Sequence, residues 1–165
     1  MEDFDAYVVA AWPRLVRSAW LLTGDWHRAE DLVQAVLARA YGRWSRIGAD
    51  SPDAYLRAML ATTFLTWWRR RWRAEIPSAT IAESAGVDEH ARAELQQVVR
   101  DALLSLPHQQ RAVLMLRFHA DLTEAATADA LGISLGTVKS YTARALAALR
   151  QHPSLRSFVL EGAAS

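Results

Sequence analysis

Apolar residues recur at the spacing of an α-helix along nearly the whole of this 165-residue chain. Phe4, Tyr7, Val8, Ala11, Leu15, Ala19 and Leu22 share one face and predict a first amphipathic helix. Gly24 and Asp25 break it and cap the next. A second helix is expected over Ala29 to Trp44, with Leu32, Val36 and Ala40 on one stripe, followed by a loop over Arg46 to Asp50. Ser51-Pro52-Asp53 combines an N-cap, a first-position proline and a first-turn acid, which predicts another helix start. Tyr55, Leu56, Met59, Leu60 and Thr63 carry that helix into Trp67-Trp68-Arg69-Arg70-Arg71-Trp72-Arg73. The pattern fades between Glu75 and Asp88, where Pro77, Ser78, Ser84 and Gly86 sit among small residues, as in a linker. Helical periodicity resumes near Glu89 through Leu95, Val98, Val99, Ala102, Leu103 and Leu106. Pro107 then opens a helix carrying Val113, Leu114 and Leu116, and the tail after Pro153 adds a turn through Phe158. The expected fold is all-α: a helical domain over 1–74, a flexible linker over 75–88 and a second helical domain over 89–160.

Thr123 to Arg150 carries the sharpest local signal. Ala128 is small where two helices cross closely, Gly132 supplies a positive φ for the turn, and Ser134 is a good N-cap. Val138 plugs the angle between the helices, with Leu131, Ile133, Leu146 and Leu149 as further apolar contacts. Thr137, Lys139, Ser140 and Arg144 are left on one polar face. This is helix-turn-helix spacing with a second helix fit for the major groove; the competing reading is an ordinary αα-hairpin.

The tryptophan–arginine segment is a second station. Arg69, Arg70, Arg71 and Arg73 can pair with phosphate oxygens, and the interleaved Trp67, Trp68 and Trp72 can stack unpaired bases. Thr62, Thr63 and Thr66 lie just upstream and can reach base edges. Against this stands a core role for the tryptophans, Trp68 above all.

Composition narrows the class. Apolar residues make up 52% of the chain, so it is globular, and its net charge of +1 hides an acidic N-terminal stretch and this arginine cluster. It has no cysteine, which excludes disulfides and thiolate zinc sites. His27, His90, His108, His119 and His152 are scattered without metal-ligand spacing. No acid pair, nucleophile motif or glycine-rich loop supports catalysis, so neither an enzyme nor a cofactor is expected. The acidic N-terminus and the lack of a long apolar run point to a cytoplasmic protein with no membrane partner.

A duplex reader and a single-strand reader on one chain resemble the two-domain extracytoplasmic-function (ECF) sigma factors of bacterial RNA polymerase, in detail the SigE-like group of actinobacteria. Ala29-Glu30-Asp31-Leu32-Val33-Gln34 resembles the segment that docks on the polymerase clamp helices. Ser51 to Arg73 resembles the helix that opens and reads the minus-ten element. Leu106-Pro107 with Gln110-Arg111 resembles the start of the sigma-4 domain, and Gly136-Thr137-Val138-Lys139-Ser140 the recognition helix for the minus-thirty-five element. The resemblance implies polymerase contacts at Asp31, Leu32, Gln34 and Leu37. It implies minus-ten contacts at Thr62, Thr63, Thr66, Trp67, Arg69, Arg70, Arg71 and Arg73. Minus-thirty-five contacts fall on Thr137, Lys139, Ser140, Tyr141, Ala143 and Arg144. Implied partners are core RNA polymerase, at its clamp helices and flap, promoter DNA and, as a further candidate, an anti-sigma factor. Thr62 stands where an asparagine is common, Ala35 where an acid is usual, and Tyr141 and Ala143 replace an arginine and a larger side chain. These departures bear on promoter sequence rather than fold. Two other functions fit parts of the pattern: a stand-alone helix-turn-helix regulator, and a sigma mimic that titrates an anti-sigma factor.

Overall fold

The computed structural model describes residues 2–47, 51–72 and 87–157, with side chains 2, 71, 72 and 87–91 left undescribed. Arg73, most of the expected linker and the tail beyond residue 157 lie outside these limits. Among the described residues the chain is helical, without strands. The elements are α1 (Glu2–Thr23), α2 (Trp26–Tyr41), α3 (Trp44–Ile47), α4 (Pro52–Trp67), α5 (Val87–Leu104), α6 (His108–Leu114), α7 (Glu124–Leu131) and α8 (Leu135–Gln151). Helix α4 runs on into a π-helical turn at Trp68–Trp72, and α6 into another at Met115–His119. The second predicted helix thus stops at Tyr41. Trp44 and Arg46 belong to the short α3, where Trp44 meets the rings of Phe4 and Tyr7.

The stripes on α1, α2 and α4 face one another. Leu15, Leu22, Leu32, Val33, Val36, Leu56, Leu60 and Phe64 are fully buried there, and Ala11, Ala19, Ala29, Ala40 and Ala61 let the backbones approach. Asp53 ties α4 to α1, accepting from the Tyr7 hydroxyl and from Arg14 Nε at 2.6 Å and Nη2 at 3.0 Å. The acid in the start signal is therefore a tertiary anchor, while Ser51 makes no side-chain cap bond. Those bonds, Arg14's first, hold the Asp53 carboxyl below its ordinary range, and the two side chains of the pair are 30% and 39% exposed. Asp53→Asn is expected to cost about 1 kcal/mol at pH 7, discounted for solvent screening. A lowered carboxylate pKa stabilises above the unfolded value near ~4 and loses that contribution as pH falls through the folded value. Urea midpoints of the two proteins are therefore expected to converge on acidification below pH ~4.

The corner between α1 and α2 follows its predicted signals. Asp25 caps α2 by accepting the Arg28 amide at 3.1 Å, and Gly24 adopts φ +68°. A Cβ on Gly24 would lie 3.0–3.2 Å from three side-chain carbons of Leu104 in α5. Gly24→Ala is expected to lower stability by about 1–2 kcal/mol from the left-handed backbone alone, read as a lower urea midpoint.

Helices α7 and α8 form the helix-turn-helix. Thr123 caps α7 by accepting the Ala126 amide at 3.0 Å. Gly132 turns the chain at φ +65°, and Ser134 caps α8 by accepting the Thr137 amide at 3.1 Å. Val138 is fully buried with Val113 and Ala128. Leu146 and Leu149 pack elsewhere, against Leu106, Leu114 and Ala145. These two clusters are small, and the group α5–α8 does not stop at them. Ala112, Met115 and Leu116 enter the same buried cluster as α1, α2 and α4. The two helical groups therefore share a seam, since an apolar stripe on α6 gains more by burial than by facing water.

Candidate nucleic-acid interface

Three surfaces place the residues singled out in the sequence. On α8, Lys139, Ala143 and Arg144 are exposed, and Ser140 and Thr137 are half-buried. The Thr137 hydroxyl lies 2.8 Å from the Ser134 hydroxyl, so it takes part in the cap as well as facing outward. Tyr141 turns aside: its hydroxyl donates to Gln109 Oε1 at 2.8 Å and its ring packs beside the Val138 cluster. The resulting face carries two cations, Lys139 in the second turn of the capped helix and Arg144 in its middle.

The second surface is α4 and its π-helical extension. Arg69 and Arg70 are exposed. The three threonines are not gathered with them as free donors. Thr62 Oγ1 donates to the carbonyls of Ala58 and Met59 at 3.2 Å each, and Thr66 Oγ1 donates to the Thr62 carbonyl at 3.1 Å. Thr63 faces inward at 5% exposure, within 3.4 Å of Arg39 Nη1, so it lies off the exposed face altogether. Threonine inside a helix bonds the preceding turn when nothing else competes. Trp67 packs half-buried against the main core. Trp68 is half-buried against the edge of the main core, beside Phe64, His108 at 5.4 Å between ring centroids and the Arg111 guanidinium at 5.7 Å. Arg71 belongs to the π-helical turn, and its side chain lies outside the described residues.

The third surface is α2. Asp31 and Gln34 are exposed, whereas Leu32 is fully buried and Leu37 is 7% exposed. Leu37 is corrected to a core residue: its position on the helix puts it in the same buried stripe as Val33 and Val36. Leu32 likewise supports the surface from beneath.

The first two surfaces nearly meet across the seam. Arg69 and Leu65 line a cavity of about 200 Å3 together with Tyr141, His108 and Gln109. Beside it, Arg111 is buried to 4% exposure with its Nη1 on the Leu22 carbonyl at 2.5 Å and its guanidinium 5.4 Å from the Phe64 ring. Burial pushes its pKa down to about 10. Arg100 Nε donates to the Gly24 carbonyl at 2.7 Å. An apolar cavity of about 340 Å3 continues the seam past Leu21, Val99, Leu103 and His119, where burial, then Arg57 and Arg17, lower the imidazole pKa and keep it neutral at pH 7. Sequence reading missed Arg100, Arg111 and Gln109 as tertiary residues. The available signal was Arg111 standing next to the apolar run Ala112–Leu116, where a solvated arginine is out of place.

Among the described residues no group of histidines and acids could hold a metal, and no helix is long and apolar enough to cross a membrane. The chain matches the family models for sigma-70 region 2 over residues 8–74 and sigma-70 region 4 over residues 102–151. It is 41% identical over 150 residues to an RNA polymerase sigma-E factor of Streptomyces coelicolor, covering 90% of this chain and 85% of that one. It is 34% identical over 155 residues to the ECF RNA polymerase sigma factor SigL of Mycobacterium tuberculosis, covering 89% and 84%. A similar solved structure is that of the sigma factor RpoE in complex with the anti-sigma factor NepR from Bartonella quintana. There the TM-score is 0.71 and the identity 27%, over 92% of this chain and 96% of that one.

Proposed function

Because the chain belongs to the sigma-70 family, in its extracytoplasmic-function group, we propose that it directs core RNA polymerase to promoters by holding two elements at once. The first helical group meets the polymerase clamp helices through the exposed Asp31 and Gln34 of α2. Arg69, Arg70 and their neighbours on the α4 extension hold the minus-ten element, gripping phosphates while the unpaired strand lies across them. The second group lays α8 in the groove of the minus-thirty-five element, with Lys139 and Arg144 reaching base edges or phosphates. The task is positional: strand opening is driven by binding energy for the unpaired strand, with no reaction catalysed by this chain. An anti-sigma factor is a fitting further partner, since the similar RpoE structure holds one.

The observation that carries this reading is the capped, exposed Lys139–Arg144 face of α8 in a chain whose region 2 and region 4 matches stand in family order. In vitro transcription tests it. Core polymerase with the full chain is expected to initiate at specific sites on genomic templates, and core alone is not. A chain that neither binds core nor gives specific starts on any such template would refute the reading.

A further inference from the structure

We propose that His119 is a proton-operated latch between the two helical groups: they stay packed while its imidazole is neutral, and a proton on the ring weakens the seam. His119 ends the π-helical turn Met115–His119, the stretch of the second group that enters the core of the first. Met115 and Leu116 of that turn are buried with the stripes of α1, α2 and α4. Beside them His119 lines the apolar cavity of about 340 Å3, with Leu21 of α1 on one side and Val99, Leu103 and Leu149 on the other. The ring therefore stands where the groups meet.

Two features make that position intolerant of charge. The first is that His119 Nε2 is buried without a hydrogen-bond partner. A neutral ring can leave that nitrogen as a bare lone pair. The imidazolium carries a proton on both nitrogens, so a charged N–H would be buried with no acceptor. The second is the sign of the charges around it. Arg57 of α4 and Arg17 of α1 act on the ring from the first group, and Arg111 of α6 lines the same cavity. Arg57 is held in place, its Nε donating to Ser18 Oγ of α1 at 3.2 Å. Among the described residues the acid that acts on the ring is Asp121, two positions further along the same segment. A proton on His119 thus sets like charges against each other across the seam, while its attraction to Asp121 does not cross it.

Linkage fixes the direction. Burial, then Arg57 and Arg17, hold the packed imidazole below its ordinary range. Released from the seam, the ring takes its proton near pH ~6.5. Packing is therefore undiminished above pH ~6.5 and weakens as the pH falls from there through the packed value. The latch is a property of the packing and does not rest on the sigma-factor reading. Under that reading, acidification frees Arg69 of the downstream station from the cavity it shares with Tyr141.

Fluorescence transfer between pH-insensitive dyes on Val9→Cys and Ala148→Cys reads the packing in the full chain. Both positions are exposed, one in each group, and the chain has no other cysteine. Transfer is expected to hold from pH ~8 to pH ~7 and to fall from pH ~6.5 to pH ~5, while circular dichroism shows the helices retained. His119→Gln is expected to abolish the fall. Arg17→Glu, which turns a cation facing the ring into an acid at an exposed position on α1, is expected to shrink it. The double variant His108→Gln/His152→Gln is expected to keep it, although His108 meets Trp68 across the seam and His152 has a buried Nδ1. Transfer that stays flat over this range in the parent chain overturns the proposal. So does a fall that persists in His119→Gln, that is undiminished in Arg17→Glu, or that is lost in His108→Gln/His152→Gln.

Discussion

A cleavable bridge between cysteines introduced by Arg28→Cys and Leu104→Cys is expected to abolish promoter-directed transcription, and cutting the bridge to restore it. The two positions face one cavity, one from each helical group, and the chain has no other cysteine to compete. The size of the effect follows from distance. The centres of a minus-ten and a minus-thirty-five element lie ~25 base pairs apart, or about 85 Å of duplex at 3.4 Å per pair. In the packed arrangement Arg69 of the downstream station and Tyr141 of the recognition helix line the same cavity of about 200 Å3. Under the proposed function no rigid placement of the molecule puts both stations on their elements, so the seam is expected to open before two-point binding. The bridged protein should therefore show no specific transcript, while the singly substituted proteins and the cleaved double variant do. Specific transcription by the fully bridged protein would mean that the stations have been misplaced.

The second large effect belongs to α8. Replacing Lys139 and Arg144 together by alanine is expected to lower transcription from minus-thirty-five-dependent promoters about 30-fold or more. Each cation that reaches a base edge contributes about 1–3 kcal/mol of discrimination, so two give about 2–6 kcal/mol. Both side chains are exposed, and α8 is held by Ser134 and by the buried Val138 rather than by them, so folding should be unchanged. Thermal unfolding that matches the parent chain, with core binding intact and specific starts lost, is the expected combination. Undiminished transcription would move the DNA face away from these two residues.

Much of the local structure was legible because it depends on residues a few positions apart. Gly132 must turn the chain with a positive φ, Ser134 and Asp25 must accept amides at open helix ends, and Val138 recurs on the stripe that faces α7. The candidate site was read less evenly. Lys139, Arg144, Asp31 and Gln34 do stand on exposed faces, as their places between apolar positions imply. Thr62 and Thr66 did not stay available, because a hydroxyl on a helix can satisfy itself on the preceding turn. Thr63 and Leu37 sit on boundaries of their stripes, and a stripe's edge is buried or exposed according to the neighbour that arrives there.

By itself the sequence determined most of the helices, the caps at Asp25 and Ser134, the helix-turn-helix and the exposed cations of α8, since short-range sterics and periodicity decide these within a turn or two. Only the tertiary structure decided that the helical groups pack against each other. It also decided that Asp53 anchors α4 to α1, and that Arg111 is buried with its donor on a carbonyl 89 positions away in the chain. Contacts of that kind depend on which apolar surfaces fit together in space, and no spacing along the chain encodes the partner.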